Sequence, residues 1–310
     1  MTSMELQYPQ VANQHQNSYR LMLFDLSIYG HHPSYIKYLL QYWHQKELPG
    51  QLVVLVSPRF LEAHCDVVEL AQQLDPENIQ FCAITVSEEA ALKSRSTSIG
   101  RNLRNFQEWR LLCKYARSLR VDHVLTMYYD TYQNPILLNQ MPHCPMSGIY
   151  FRPKFHYRDF RTASPQMKPT VREWWAKFLL ERVLSKPKLH RLFSLDPFVM
   201  DHITPRWRDK VIYLPDPIEL TESSTDAAAA LRKRFDIAPH RKVFLLFGAL
   251  TERKGIYELL EAIPKLSPEL TQQSAFIFLG ESSPAHREKI DPAIEHLCQL
   301  YPVQIIRHYE

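Results

Sequence analysis

Short apolar runs alternate with amphipathic stretches along almost the whole chain, and this pattern constrains the fold more than any other feature. The runs Arg20–Leu26, Gln51–Ser57, Ile79–Val86, Val121–Met127 and Ser147–Phe151 read as strands. Between them, Pro33–Gln45, Phe60–Leu74 and Arg101–Leu119 carry apolar residues at helical spacing. QLVVLVS at 51–57 has no polar alternation, so it predicts a strand buried on both faces. Strands separated by helices must lie parallel, because the chain crosses back between them. The expected fold class is therefore α/β, with a doubly wound parallel sheet.

The pattern pauses at residues 151–191 and then resumes. Leu192–Leu195, Val211–Leu214, Lys242–Gly248, Ala275–Gly280 and Val303–Ile306 read as strands, and Gly255–Lys265 and Ala285–Leu300 as helices. A chain of 310 residues accommodates about two domains. The boundary is placed near 190–196, giving an N-terminal domain over 20–193 and a C-terminal one over 194–310. Residues 1–19, polar and rich in Gln and Asn, are expected to be a disordered leader. They lack the basic start, apolar stretch and cleavage site of a signal peptide. Five scattered cysteines with no CxxC pair argue for a reducing, cytoplasmic setting and against a zinc site. A net charge of +4 is too small for a dedicated nucleic-acid binder.

The segment 151–191 holds eleven Lys or Arg against three acids. Within it, Val171–Leu184 reads as a basic amphipathic helix with Trp174, Trp175 and Phe178 among Arg172, Lys177 and Arg182. Such a helix fits an anionic membrane surface, an acidic acceptor, or an ordinary packed helix with solvated charges.

Only seven glycines are present, so their positions carry information. Gly30 follows the first strand, Gly248 and Gly280 end two later ones, and Gly255 opens a helix. In open α/β sheets these edges form the ligand crevice, and helix starts there suit phosphate. No GxGxxG or GxxxxGK[ST] occurs, which argues against a dinucleotide-binding Rossmann domain or a P-loop NTPase. Three constellations remain. Ile28 to Tyr35 brings Gly30, His31, His32 and Ser34 to a helix start, where imidazoles and a hydroxyl suit a sugar or phosphate. Gly248 to Gly255 places Arg253 and Lys254 at a helix start, where cations oppose the dipole unless an anion such as a diphosphate compensates. Tyr129 and Asp130 follow a strand of the first half, where Asp130 is a candidate for orienting an acceptor hydroxyl or capping a helix. Glu281 is a lesser candidate, just past the Ala275–Gly280 strand.

FLLFGALTERKGIYELLEAIPKL, with VIYLPDPIE before it and FIFLGE after it, resembles the donor domain of the GT-B glycosyltransferases of family 4. LFDLSIYGHHPSYIKYLL is similar to the start of that family's acceptor domain. The resemblance implies two Rossmann-like domains and transfer of a sugar from a nucleotide-diphosphate donor to an acceptor hydroxyl, with retention and without a metal or other cofactor. It implies catalytic roles for Asp130 and Lys254. Donor contacts would come from Gly30, His31, Gly248, Arg253, Lys254, Gly255 and Glu281, and acceptor contacts from His32, Ser34 and Tyr129. The acceptor would be a sugar, a lipid or a small molecule. The family has an Arg where this chain has Ala249. It also continues past the equivalent of Glu310 with a Glu-x7-Glu segment and a crossing helix. The resemblance thus implies a C-terminally truncated second domain, with an inactive or purely sugar- and nucleotide-binding chain as the alternative to an enzyme.

Overall fold

The computed structural model describes residues 19–94, 96–153, 155–156, 170–217 and 225–309, and not the side chains of Thr225 and Arg253. The expected leader, save Tyr19, lies outside the described residues. The chain divides into two compact units, Met1–Ile218 and Glu219–Glu310.

In the first unit the elements run β1 (Arg20–Phe24), α1 (His32–Gln45), β2 (Gln51–Val56), α2 (Pro58–Ala63), α3 (Cys65–Leu74), β3 (Ile79–Ala83), α4 (Val86–Ala91) and α5 (Ser98–Ser118). They continue with β4 (His123–Thr126), α6 (Gln133–Leu138), β5 (Met146–Tyr150), α7 (Val171–Leu184), β6 (Leu189–Ser194) and β7 (Val211–Tyr213). The seven strands form one parallel sheet in the order β3-β2-β1-β4-β5-β6-β7. Every residue of β2 is buried, as its unbroken apolar run requires. Two apolar layers cover the sheet. Leu23, Ile36, Leu40, Val54 and Phe60 belong to one, and Met22, Phe24, Trp109, Leu112, Leu180 and Val183 to the other. β6 and β7 pair within this sheet, at Leu192–Val211 and Phe193–Ile212. The boundary therefore falls later than 190–196: both strands expected to open the second domain complete the first.

The order reverses between β1 and β4. From β1 the chain winds outward to β2 and β3, then returns to lay β4 on the other side. At such a switch point the two following loops diverge and leave a crevice at the carboxyl ends of the strands.

The second unit contains α8 (Thr225–Arg234), β8 (Lys242–Phe247), α9 (Ile256–Ala262), α10 (Pro268–Gln272), β9 (Ser274–Gly280), α11 (Pro284–Leu300) and β10 (Gln304–Tyr309). Its sheet is parallel, in the order β10-β9-β8. Phe276 and Phe278 pack with Ile256, Leu260, Ile290 and Ile294 on one face, while Ala275 and Ile277 meet Ile237 on the other. The small, polar stretch Ser223–Ala230 reads in sequence as a loose connection leading into a helix; Ser223 and Ser224 lie outside the described residues, and from Thr225 on the stretch is already part of α8. β8, the most apolar run of this half, pairs only with β9 among the described residues, and Phe244, Leu245 and Phe247 are about half exposed or more.

Candidate functional site

The crevice at the β1/β4 switch point is a cleft of about 350 Å³. Asp25 to Ser27 and Tyr29 to His32 after β1, Tyr128, Thr131 and Tyr132 after β4, and Phe151 and Arg152 after β5 line it, with Glu108 of α5. Its center is a pair that spacing alone does not reveal. Asp25, the first residue past β1, is buried at 4% exposure. Its Oδ2 lies 2.6 Å from His32 Nδ1. A carboxylate only accepts, so Nδ1 donates, and Nε2 becomes the ring's remaining polar atom. Ser27 N–H donates to the other carboxylate oxygen at 3.0 Å, and Tyr128 packs on the imidazole at 5.5 Å between ring centroids. The imidazole is thus held by a carboxylate on one edge and an aromatic ring on one face. An acid directly after the apolar LMLF run and seven residues before His32 was the available signal.

Gly30 and His31 line the same cleft, with Gly30 turning the chain into α1 at a φ of +72°. Ser34 is exposed on α1 and does not line it. Tyr129, expected at the crevice, is fully buried beneath the sheet edge. Its Cβ lies 2.9 Å from the position a Cβ on Gly148 would take, so the glycine makes room for it. Its ring meets Tyr150 edge-on at 5.3 Å. The neighbouring Tyr128, half-buried, lines the cleft instead.

Asp130 neither caps a helix nor stands unengaged. Its two oxygens accept the backbone N–H groups of Phe151 and Arg152, each at 2.9 Å, and so fix the chain where it leaves β5. It also lines a neighbouring hollow of about 520 Å³ with Arg152 and Arg172. Burial pushes its carboxyl up to about 6, against the two amides, which favour the ionised form. The unfolded value is about 3.9, so between pH 4 and 6 the folded chain binds more protons than the unfolded one. Stability contributed by this group is present below pH 4 and lost as pH rises through 6. Asp130→Asn is expected to flatten this fall, worth about 2–3 kcal/mol. At neutral pH it should cost about 1–3 kcal/mol, because one amide loses its acceptor. Urea unfolding at pH 4.5 and 7 measures both.

Three further polar residues past the ends of β5 and β7 are also placed. His156 is buried and its Nε2 lies 3.0 Å from Asp196 Oδ2, whereas Arg152 does line the cleft. Asp216, in the Pro-Asp-Pro stretch after β7, accepts a hydrogen bond from the Tyr35 hydroxyl on α1. Burial, with Asp216 beside it, pushes the Tyr35 phenol up.

In the second unit the glycines gather at one corner. Gly248 (φ +90°) directly follows β8 and Gly280 (φ +130°) ends β9, and a Cβ on Gly280 would stand 2.5 Å from the Gly248 carbonyl oxygen. Leu250 N–H donates to the Glu281 carbonyl at 2.8 Å, which closes the turn. The Glu281 side chain itself is exposed. Glu252–Lys254 forms one 3-10 turn, and α9 begins only at Ile256, after Gly255 in the left-handed region. The two cations therefore precede the helix instead of standing in its first turn. Lys254 is exposed; its Nζ lies 6.0 Å from the centroid of the Phe247 ring and 3.9 Å from the open side of Gly248. Arg253 sits in the same turn, and its side chain lies outside the described residues.

No family model matches the chain, and no curated protein matches it. Solved structures do. WaaG, a glycosyltransferase involved in lipopolysaccharide biosynthesis, is similar with a TM-score of 0.53 and 14% identity, over 93% of this chain and 70% of that one. Sucrose-phosphate synthase from Thermosynechococcus elongatus is similar at 0.55 and 14%, over 94% and 70%. The catalytic domain of starch synthase IV from Arabidopsis thaliana, bound to ADP and acarbose, is similar at 0.56 and 10%, over 94% and 74%. At these identities the likeness is one of fold: the chain has the α/β architecture of the GT-B glycosyltransferases, with a seven-stranded and a three-stranded parallel sheet.

Proposed function

We propose that the chain is a glycosyltransferase that moves a sugar from a nucleotide-diphosphate donor to an acceptor hydroxyl. The observation that carries this reading is the Gly248–Gly280–Lys254 corner. Gly280 lets the Gly248 backbone pass close beside it, Gly248 leaves its own outer face open to a ligand, and an ammonium stands beside that face, suited to the charge that grows on a departing diphosphate. Arg253, next to Lys254 in sequence, is assigned to the same donor. The fold and the family-4 resemblance support the assignment, and the resemblance extends it to retention without a metal.

The switch-point cleft supplies the acceptor side. The imidazole of His32, its tautomer set by Asp25, accepts a hydrogen bond from an acceptor hydroxyl and orients it. Gly30 and His31 complete that edge, and Asp130 acts through the backbone it holds. Calorimetry with UDP- and ADP-sugars, run beside a transfer assay in the presence of a chelator, tests the whole. Donor binding at micromolar to millimolar Kd with turnover is expected, and His32→Ala should reduce turnover about 10²-fold. Binding without turnover favours a non-catalytic sugar-nucleotide binder, the reading that Ala249 in the family's Arg position supports.

A further inference from the structure

The helix α7 is apolar on both sides. Leu180, Val183 and Leu184 are fully buried in the first unit's core. On the opposite side, Val171, Trp174 and Trp175 are 84%, 59% and 50% exposed. Phe178 stacks on Trp174 with centroids 5.5 Å apart and planes 9° from parallel, and it leans on Trp175 at 5.5 Å. The result is a continuous aromatic ridge along the outer side. Of the alternatives that the sequence left open for this helix, an ordinary packed helix with only solvated charges on its outer side does not describe it, because the tryptophans are exposed as well. A helix with apolar residues all round is normally enclosed, and contiguous exposed aromatics mark a contact surface.

Charge identifies the occupant. Arg172, Lys177 and Arg182 are exposed on the helix, and the Arg182 guanidinium lies 5.4 Å from the centroid of the Phe178 ring. The helix's two acids are turned to the protein itself. Glu173 closes the capping box with Thr170, accepting its N–H at 2.8 Å. Glu181 accepts the Thr204 hydroxyl at 2.7 Å and its N–H at 3.1 Å. The outer side thus offers tryptophans flanked by cations. Tryptophan settles at the boundary between headgroups and acyl chains, and flanking Arg and Lys meet anionic headgroups. A second copy fits badly, because a two-fold contact would set the same three cations against each other. We propose that the Val171–Arg182 ridge of α7 docks the chain on an anionic lipid bilayer.

This inference is independent of the glycosyltransferase reading, because its readout is binding alone. The 310-residue chain is sedimented with vesicles of phosphatidylserine and phosphatidylcholine, and with phosphatidylcholine alone. Binding to the anionic vesicles only, weakened by salt and accompanied by a blue shift of tryptophan emission, is expected. Arg172→Gln/Lys177→Gln/Arg182→Gln keeps the aromatic ridge and should weaken binding about 10²-fold. Trp174→Ser/Trp175→Ser keeps the cations and should abolish the shift, with an unchanged urea midpoint confirming the fold. Equal binding to neutral vesicles, no binding, or unaffected variants would overturn the proposal. So would self-association without lipid that the tryptophan variant removes.

Discussion

Lys254→Ala is expected to lower turnover by about 10²–10³, or roughly 3–4 kcal/mol of transition-state stabilisation. A departing nucleoside diphosphate gains negative charge as the sugar bond breaks, so a fixed cation there helps the transition state more than the bound donor. The effect should therefore fall mainly on kcat. The fold should hardly notice the change. Lys254 is exposed, and its nearest aromatic contact, at 6.0 Å from the Phe247 centroid, is worth at most about 1 kcal/mol. Lys254→Arg, which keeps the charge, should recover part of the rate. The measurement is steady-state transfer on parent and both variants, with urea midpoints beside it. Unchanged turnover in the alanine variant would remove Lys254 from the chemistry and leave the glycine corner without its cation.

The parts of the molecule legible in sequence are those governed by local burial. Buried parallel strands show up as unbroken apolar runs, so β1, β2, β8 and β9 are located to within a residue or two. The same signal misleads when it is asked about neighbours. KVFLLFG reads as the strongest strand, yet among the described residues β8 pairs only with β9, because apolar composition reports strand formation and not the number of partners. The boundary near 190–196 failed for a related reason: whether Leu189–Ser194 and Val211–Tyr213 close one sheet or open another is decided by tertiary pairing. At the site, Gly30, His31 and His32 were legible because a glycine turn and a helix start coincide. Asp25 was not, because its role depends on a ring seven residues away that only the loop after β1 brings to 2.6 Å. Tyr129 was misplaced because its position past the end of β4 does not say which of two adjacent tyrosines the following 3-10 turn carries into the core.

Gly280→Ala is expected to destabilise the second unit by about 4 kcal/mol, a large loss for one methyl group. Two penalties add. At φ +130° a side chain meets its own backbone, a region that only glycine occupies readily, at a cost of about 1–3 kcal/mol. The new Cβ would also stand 2.5 Å from the Gly248 oxygen, 2.9 Å from its carbonyl carbon and 3.1 Å from its nitrogen. All three are backbone atoms, so no rotamer change can relieve the overlap, and overpacking of this kind costs about 1–3 kcal/mol more. Relief requires the ends of β8 and β9 to move apart. That motion strains the Gly248 N–H bond to the Leu279 carbonyl (2.9 Å) and the Leu250 bond to Glu281 (2.8 Å), which shape the glycine corner. Ala at Gly248 is the internal control. It too has positive φ, but a Cβ there meets only the flexible end of Lys254 at 3.9 Å, so about 1–2 kcal/mol of backbone strain is expected. Urea unfolding of the two variants should rank Gly280→Ala well below Gly248→Ala. Equal midpoints would mean that the strand ends are not pressed together, and the corner would then lose the close backbone approach on which the donor assignment rests.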